Sequence, residues 1–254
     1  MTQPPANPSF NTAAPASPAQ AAQLGQELLA ELGKGRAPAA DRAAIKNLMA
    51  RGASVTEKNT HGQNALMVAL HYNHHDIAAQ VLAKGAPVHA RDAQDNTALI
   101  WCGYTAATDV AIALLRSGAK ADEYNSIGRS VLTQAAAKGH DDFLTAMISY
   151  GLDANHIDKR GDNLLTAAVL AGQAATVKRL IELGADPQKP DRNNKLPADL
   201  ARAKGAIKLA AAIEGEIHRK KKKEFTDTLR QITDGIRKDV TIPKPASIKN
   251  RRKP

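Results

Sequence analysis

The sequence predicts an all-α solenoid of about five to six helix–turn–helix repeats, each 33 residues long. Three observations carry that reading. Glycine recurs at Gly52, Gly85, Gly118, Gly151 and Gly184, each 33 residues after the last. Two further columns keep the same period: Leu66, Leu99, Leu132 and Leu165, and Asn59, Asp92, Asn125, Asp158 and Asp191. Aromatic residues are only 3% of the chain while hydrophobic residues are 43%. A core of small side chains suits close helix-on-helix contact and not a β-sandwich.

Within each period the local signals repeat. Asn64, Thr97, Ser130 and Asn163 are side chains that accept from the free N–H groups at a helix start. About nine residues later stand Asn73, Gly139, Gly172 and Gly205, residue types that tolerate the left-handed conformation closing a helix. A second apolar helix follows, as in Ile77 to Leu82 and Val177 to Leu183, and stops at the first glycine column. A polar loop containing Asp or Asn leads to the next unit.

These residues resemble the ankyrin-repeat family. Its turn-and-helix signature is echoed by Asp92-Ala-Gln-Asp-Asn-Thr97-Ala-Leu99 and by Gly139-His140. Its loop is matched by Gly85-Ala-Pro-Val, Gly118-Ala-Lys-Ala and Gly184-Ala-Asp-Pro. The similarity spans roughly residues 38–215. The chain departs from the family where Met67, Ile100, Thr133, Thr166 and Asp199 replace its usual His. Ala106 stands where Gly is expected, which predicts a reshaped turn. Trp101 and Cys102 fall at core positions and read as packing.

A solenoid must cover its open ends. Leu24, Leu28, Leu29 and Leu32 recur at helical spacing and predict an N-terminal capping helix over about 20–32. The Pro- and Ala-rich stretch 1–19 is expected to be disordered, and it has neither the charge nor the apolar run of a standard secretory leader. The repeat domain is expected over 20–217. Beyond it, residues 218–254 hold 13 of the 35 Lys and Arg but 4 of the 25 Asp and Glu. The other 217 residues are nearly balanced, at 22 basic and 21 acidic. The basicity therefore belongs to a C-terminal tail. Phe225, Leu229, Ile232, Ile236 and Val240 form one apolar stripe along it, which predicts an amphipathic helix ahead of a disordered end.

Catalytic and metal motifs are not apparent. The chain contains no nucleotide-phosphate loop, nucleophile elbow or His-Glu-x-x-His pair. His71, His74 and His75 approach metal-ligand spacing, but the repeat pattern breaks the helix at Asn73 between them. Asp76, Asp109 and Asp142 recur at a second-helix start, where negative charge offsets the helix dipole. The single cysteine excludes an internal disulfide and fits a reducing compartment. The expectation is a non-enzymatic protein with no cofactor, no metal and no small-molecule substrate.

The family resemblance implies binding of a protein partner on the concave face built from loop tips and first helices. Carried over position by position, that face includes His61, His71, Tyr72, Tyr104, Arg129, Lys138, Lys159, Arg160, Arg192 and Lys195. The tyrosines are expected to anchor a partner, and the basic tips suit a partner with an acidic surface. Arg219, Lys220, Lys221, Lys222 and Lys223 offer a second contact for a polyanion, either nucleic acid or an anionic membrane. The bland alternative is that the stripe folds back to cap the last repeat. A cytoplasmic location is expected, with an exported effector as the alternative, since an uncharged N-terminus joined to this repeat type resembles secreted bacterial effectors.

Overall fold

The structure, a computed structural model, describes residues 16–34 and 39–239. Among these residues it contains twelve α-helices and no β-strand, only two isolated bridges, Lys58 to Asn64 and Ile157 to Asn163. The helices form six antiparallel pairs. They are α1 (Pro18–Leu32) with α2 (Ala39–Ala50), α3 (Ala65–His71) with α4 (His75–Ala83), and α5 (Ala98–Thr105) with α6 (Thr108–Arg116). Then follow α7 (Val131–Lys138) with α8 (Asp141–Ser149), α9 (Leu164–Leu170) with α10 (Ala174–Glu182), and α11 (Pro197–Ala203) with α12 (Ile207–Asp239). Part of the expected disordered N-terminus (1–15), most of the loop after Gly33 (35–38) and residues 240–254 lie outside the described residues.

The periodic columns have direct physical causes. Asn64, Thr97, Ser130 and Asn163 each accept from the backbone N–H of the residue three further on, starting α3, α5, α7 and α9. The glycine column from Gly52 to Gly184 has φ between 86° and 113° throughout, a region that L side chains avoid. It ends each second helix and turns the chain outward. The Asn/Asp column builds the loop tips. Asp92 Oδ1 accepts from the N–H groups of Gln94 and Asn96, Asp158 Oδ1 from Arg160 and Asp162, and Asp191 Oδ1 from Asn193 and Lys195. These side chains replace backbone partners that an extended loop lacks.

The loop tips are tied to one another. Ala93 N–H donates to the His61 carbonyl at 2.9 Å, Lys159 to Gly128 at 3.0 Å and Arg192 to Gly161 at 3.1 Å. First helices α1, α3, α5, α7, α9 and α11 stack in one row, and second helices α4, α6, α8, α10 and α12 in another. One apolar core runs continuously from Leu24 to Ile213 between the two rows.

Three details differ from the sequence expectation. Helix α1 begins at Pro18, not at about residue 20, because Ser17 and Gln20 form a reciprocal capping box ahead of it. The turn at Ala106 is not reshaped. Ala106 keeps φ 55° and ψ 33°, the left-handed geometry used by Asn73, Gly139 and Gly172 in the neighbouring repeats. An alanine there costs about 1 kcal/mol, and the stacked helices on either side hold it in place. Third, the described part of the apolar stripe, Phe225 to Ile232, does not fold back on the last repeat, the alternative that the sequence left open. Helix α12 buries Ala210 and Ile213 against the array and then continues outward, with Phe225, Leu229 and Ile232 exposed.

Candidate functional site

Aromatic residues gather near the C-terminal ends of α3 and α5. Tyr72 and His71 close α3, with ring centroids 4.7 Å apart. The His71 ring lies 4.9 Å from that of Trp101 on α5, and Trp101 lies 5.2 Å from Tyr104 one helical turn later. The Lys138 ammonium, at the end of α7, sits 5.6 Å from the Tyr104 ring centroid, within cation–π range. The cluster thus spans three successive first helices.

Second contacts hold these rings. Trp101 Nε1 donates to Asp92 Oδ2 at 2.9 Å, and Asp92 is itself buried. Gln63 Nε2 donates to His71 Nδ1 at 3.4 Å. His140 Nε2 donates to the Tyr104 carbonyl at 2.9 Å, tying the end of α5 to the start of α8. Burial pushes the Tyr104 phenol above its ordinary range, with Arg129 opposing that shift. Tyr72, Trp101 and Tyr104 are half-buried, so each ring is held on one side and open on the other. A groove of about 340 Å³ opens in front of Tyr72 and Trp101, lined also by Asn59, His61, Gln63 and His71 among others.

The ten positions expected on the concave face therefore separate into groups. His61, His71 and Tyr72 line the aromatic groove, and Tyr104 and Lys138 extend its cluster. Arg129 reaches Gln134 on α7 at 3.4 Å. Lys159, Arg160 and Arg192 line a separate groove of about 760 Å³ along the loop tips. That groove is of mixed charge, since Asp95, Asp122 and Glu123 also line it, and Arg160 pairs with Asp162 at 3.3 Å. Lys195 is exposed and lines neither groove. Glycine backbone positions these arginines: a Cβ on Gly128 would lie 2.8 Å from Arg160 Cγ, and one on Gly161 would lie 2.6 Å from Arg192 Cβ.

The sequence reads Trp101 as core packing, and the ring does pack, partly buried, against the core; what that reading leaves out is its contact with His71 and Tyr104. The signal was present in its spacing. Tyr104 lies three residues on, one helical turn away on the same face, and Asp92 offers the acceptor that a half-buried indole N–H requires.

The match to known proteins follows the same architecture. A family model described as ankyrin repeats in three copies matches residues 37–125 and 104–191, together more than half of the chain. The chain belongs to the ankyrin-repeat family. Among solved structures it is similar to an ankyrin repeat domain from Acinetobacter baumannii, with a TM-score of 0.61 and 24% sequence identity. The likeness covers 75% of this chain and 97% of that one. A search of curated proteins found no match. Ankyrin repeats are in general non-enzymatic modules that mediate protein–protein interaction.

The remaining chemistry-bearing side chains of this ankyrin array have structural surroundings. Cys102 is fully buried, and burial raises its thiol far above the ordinary range, which removes the reactive thiolate at neutral pH. Asp76, Asp109 and Asp142 sit in the first turns of α4, α6 and α8. His71 ends α3 and His75 begins α4, so they do not share a helix. No group of three or more His, Cys, Asp or Glu among the described residues is placed to hold a metal ion. No helix among them is long and apolar enough to cross a membrane.

Two histidines in the array are coupled to stability. The Nε2 atoms of His75 and His156 are buried without a hydrogen-bond partner, and burial holds both rings below their ordinary pKa. A pKa depressed in the folded state means that the unfolded chain takes up the proton first. Their contribution is therefore present above about pH 6.5 and is lost as pH falls through the folded-state values. Melting temperature is expected to fall across this range, and the double variant His75→Gln with His156→Gln is expected to flatten that slope.

Proposed function

We propose that this ankyrin array is a non-enzymatic scaffold that binds a protein partner through its concave face, with the Tyr72–His71–Trp101–Tyr104 cluster as the anchor. The observation that carries this reading is the continuity of the cluster. Four rings from two adjacent helices are in mutual contact, Trp101 is held from behind by Asp92, and His71, Tyr72 and Trp101 line one groove. Rings immobilised before binding lose little side-chain entropy when a partner arrives, and Trp and Tyr are the residue types that most often dominate interface energies. Lys159, Arg160 and Arg192 flank the anchor at a distance and suit acidic side chains on the same partner.

A photo-crosslinking side chain placed at Tyr72 or at Tyr104 is expected to capture one shared partner. The same probe at Arg116, which is exposed at the end of α6, is expected not to capture it. Tyr72→Ala with Tyr104→Ala should weaken that partner's binding by about 1–4 kcal/mol while leaving the circular dichroism spectrum unchanged. Equal capture from Arg116, or unchanged affinity in the double variant, would remove the concave face from the function.

A further inference from the structure

Helix α12 does two things along its 33 residues. Its first part closes the array. Its later part leaves the array and presents an apolar band with nothing packed on it. Phe225, Leu229 and Ile232 are 66%, 48% and 53% exposed, and their spacing of four and three residues places them on one face.

The flanks of the band are muted as well. Thr226, Thr228 and Thr233 each donate their hydroxyl to the carbonyl four residues back, on Lys222, Glu224 and Leu229. Their donors are satisfied inside the helix, and their methyl groups widen the apolar strip. By helical spacing, Lys223, Asp227 and Arg230 fall on the opposite side.

The charge pattern along the chain is equally specific. Five consecutive basic residues, Arg219 to Lys223, precede the band and are all exposed. Five more, Lys244, Lys249, Arg251, Arg252 and Lys253, follow it in sequence. The band itself, residues 224–239, has three basic and four acidic side chains. An apolar strip beside an exposed basic run is complementary to a surface that is apolar beneath and negatively charged on top.

We propose that the outer part of α12 lies on an anionic lipid bilayer, with Phe225, Leu229 and Ile232 entering the acyl boundary and the basic run Arg219 to Lys223 on the headgroup phosphates. This surface is separate from the concave face and does not depend on partner binding there. A second copy of the chain fits less well. The apolar stripe covers about two heptads, short for a stable coiled coil. Lys221 and Lys222 continue the same face one turn earlier and would bring like charges together between parallel helices. On a bilayer the same lysines extend to the phosphate level while their stems stay in the apolar layer.

The test is co-sedimentation of the full chain with vesicles of phosphatidylcholine, with and without phosphatidylserine. The protein is expected to sediment with the anionic vesicles only. Leu229→Asp with Ile232→Asp is expected to reduce that partitioning at least about tenfold. Changing Lys220 to Lys223 to Gln should do so as well. The Asp variant should keep the thermal transition of the array, because Leu229 and Ile232 are exposed. Lys220 and Lys223 face Ile181 and Glu182 of α10, so the Gln variant is compared at a temperature where its own melting curve shows it folded. Several results would overturn the proposal: no sedimentation at low salt, or vesicle binding that survives the two Asp substitutions. So would a dimer of the free protein that those substitutions dissolve. Binding to duplex DNA that exceeds vesicle binding and ignores the Asp substitutions would assign the basic clusters to nucleic acid instead.

Discussion

Gly103→Ala is expected to destabilise the array by about 3 kcal/mol, the upper range for overpacking a close helix contact. Gly103 lies on α5 where that helix passes the start of α7. A Cβ built there would stand 2.4 Å from the Val131 carbonyl oxygen and 3.2 Å from its carbonyl carbon. The obstacle is backbone, so no rotamer change relieves it. Val131 is also the first residue of α7, fixed by the capping box between Ser130 and Thr133. Relief requires α5 and α7 to separate, and the separation propagates to both neighbouring repeats because each unit is stable only against the next. Gly215→Ala is the matched control. Gly215 lies within α12 with nothing near its missing side chain, and alanine there should stabilise by up to about 1 kcal/mol. Urea denaturation followed by circular dichroism measures both. A Gly103→Ala midpoint equal to that of the unmodified chain would show that the inner helices are less closely packed than described.

The second large effect is expected at Asp92. Its buried carboxylate accepts from the N–H groups of Gln94 and Asn96, from Asn96 Nδ2 and from Nε1 of the half-buried Trp101. Asp92→Ala leaves these donors without their acceptor and should cost about 3 kcal/mol. Asp92→Asn separates two roles of the residue. Asn59 and Asn125 serve the equivalent loops, so an amide oxygen can still hold the loop tip. The amide nitrogen is a donor and cannot accept from the indole. Asp92→Asn should therefore cost less than Asp92→Ala, yet still release Trp101. Trp101 is the only tryptophan in the chain, so its fluorescence reports the release directly. If emission is unchanged in Asp92→Asn, the carboxylate does not position the ring, and the anchor must rest on packing alone.

The two predictions show what one chain of residues could disclose and what it could not. The 33-residue columns were legible because each answers a need within a few residues of itself. A left-handed turn selects Gly or Asn, a helix start selects Asn, Ser or Thr, and a loop tip without backbone partners selects Asp or Asn. Such needs recur with the repeat, so the pattern becomes visible as a period. The positions of Tyr72, Tyr104 and Lys138 at the ends of first helices followed from the same register.

Contacts between repeats were not written in that way. Trp101 reads as a core residue because it falls at a core position of the repeat, and one side of the ring does pack on the core. Its place in a surface cluster depends on His71, 30 residues earlier, and on how far α3 and α5 stand apart. The basic loop tips read as one surface, but stacking brings Asp95, Asp122 and Glu123 into the groove beside Lys159, Arg160 and Arg192. Ala106 was expected to bend its turn to avoid the left-handed region. The helices packed on either side hold the turn in register, and their burial outweighs about 1 kcal/mol of local strain. The direction of α12 beyond the last repeat was equally open, since an apolar stripe fits a cap as well as a free face. Periodicity along the chain thus settled the fold and the register of each side chain. Spacing between helices, a property of packing across repeats, settled which of those side chains meet.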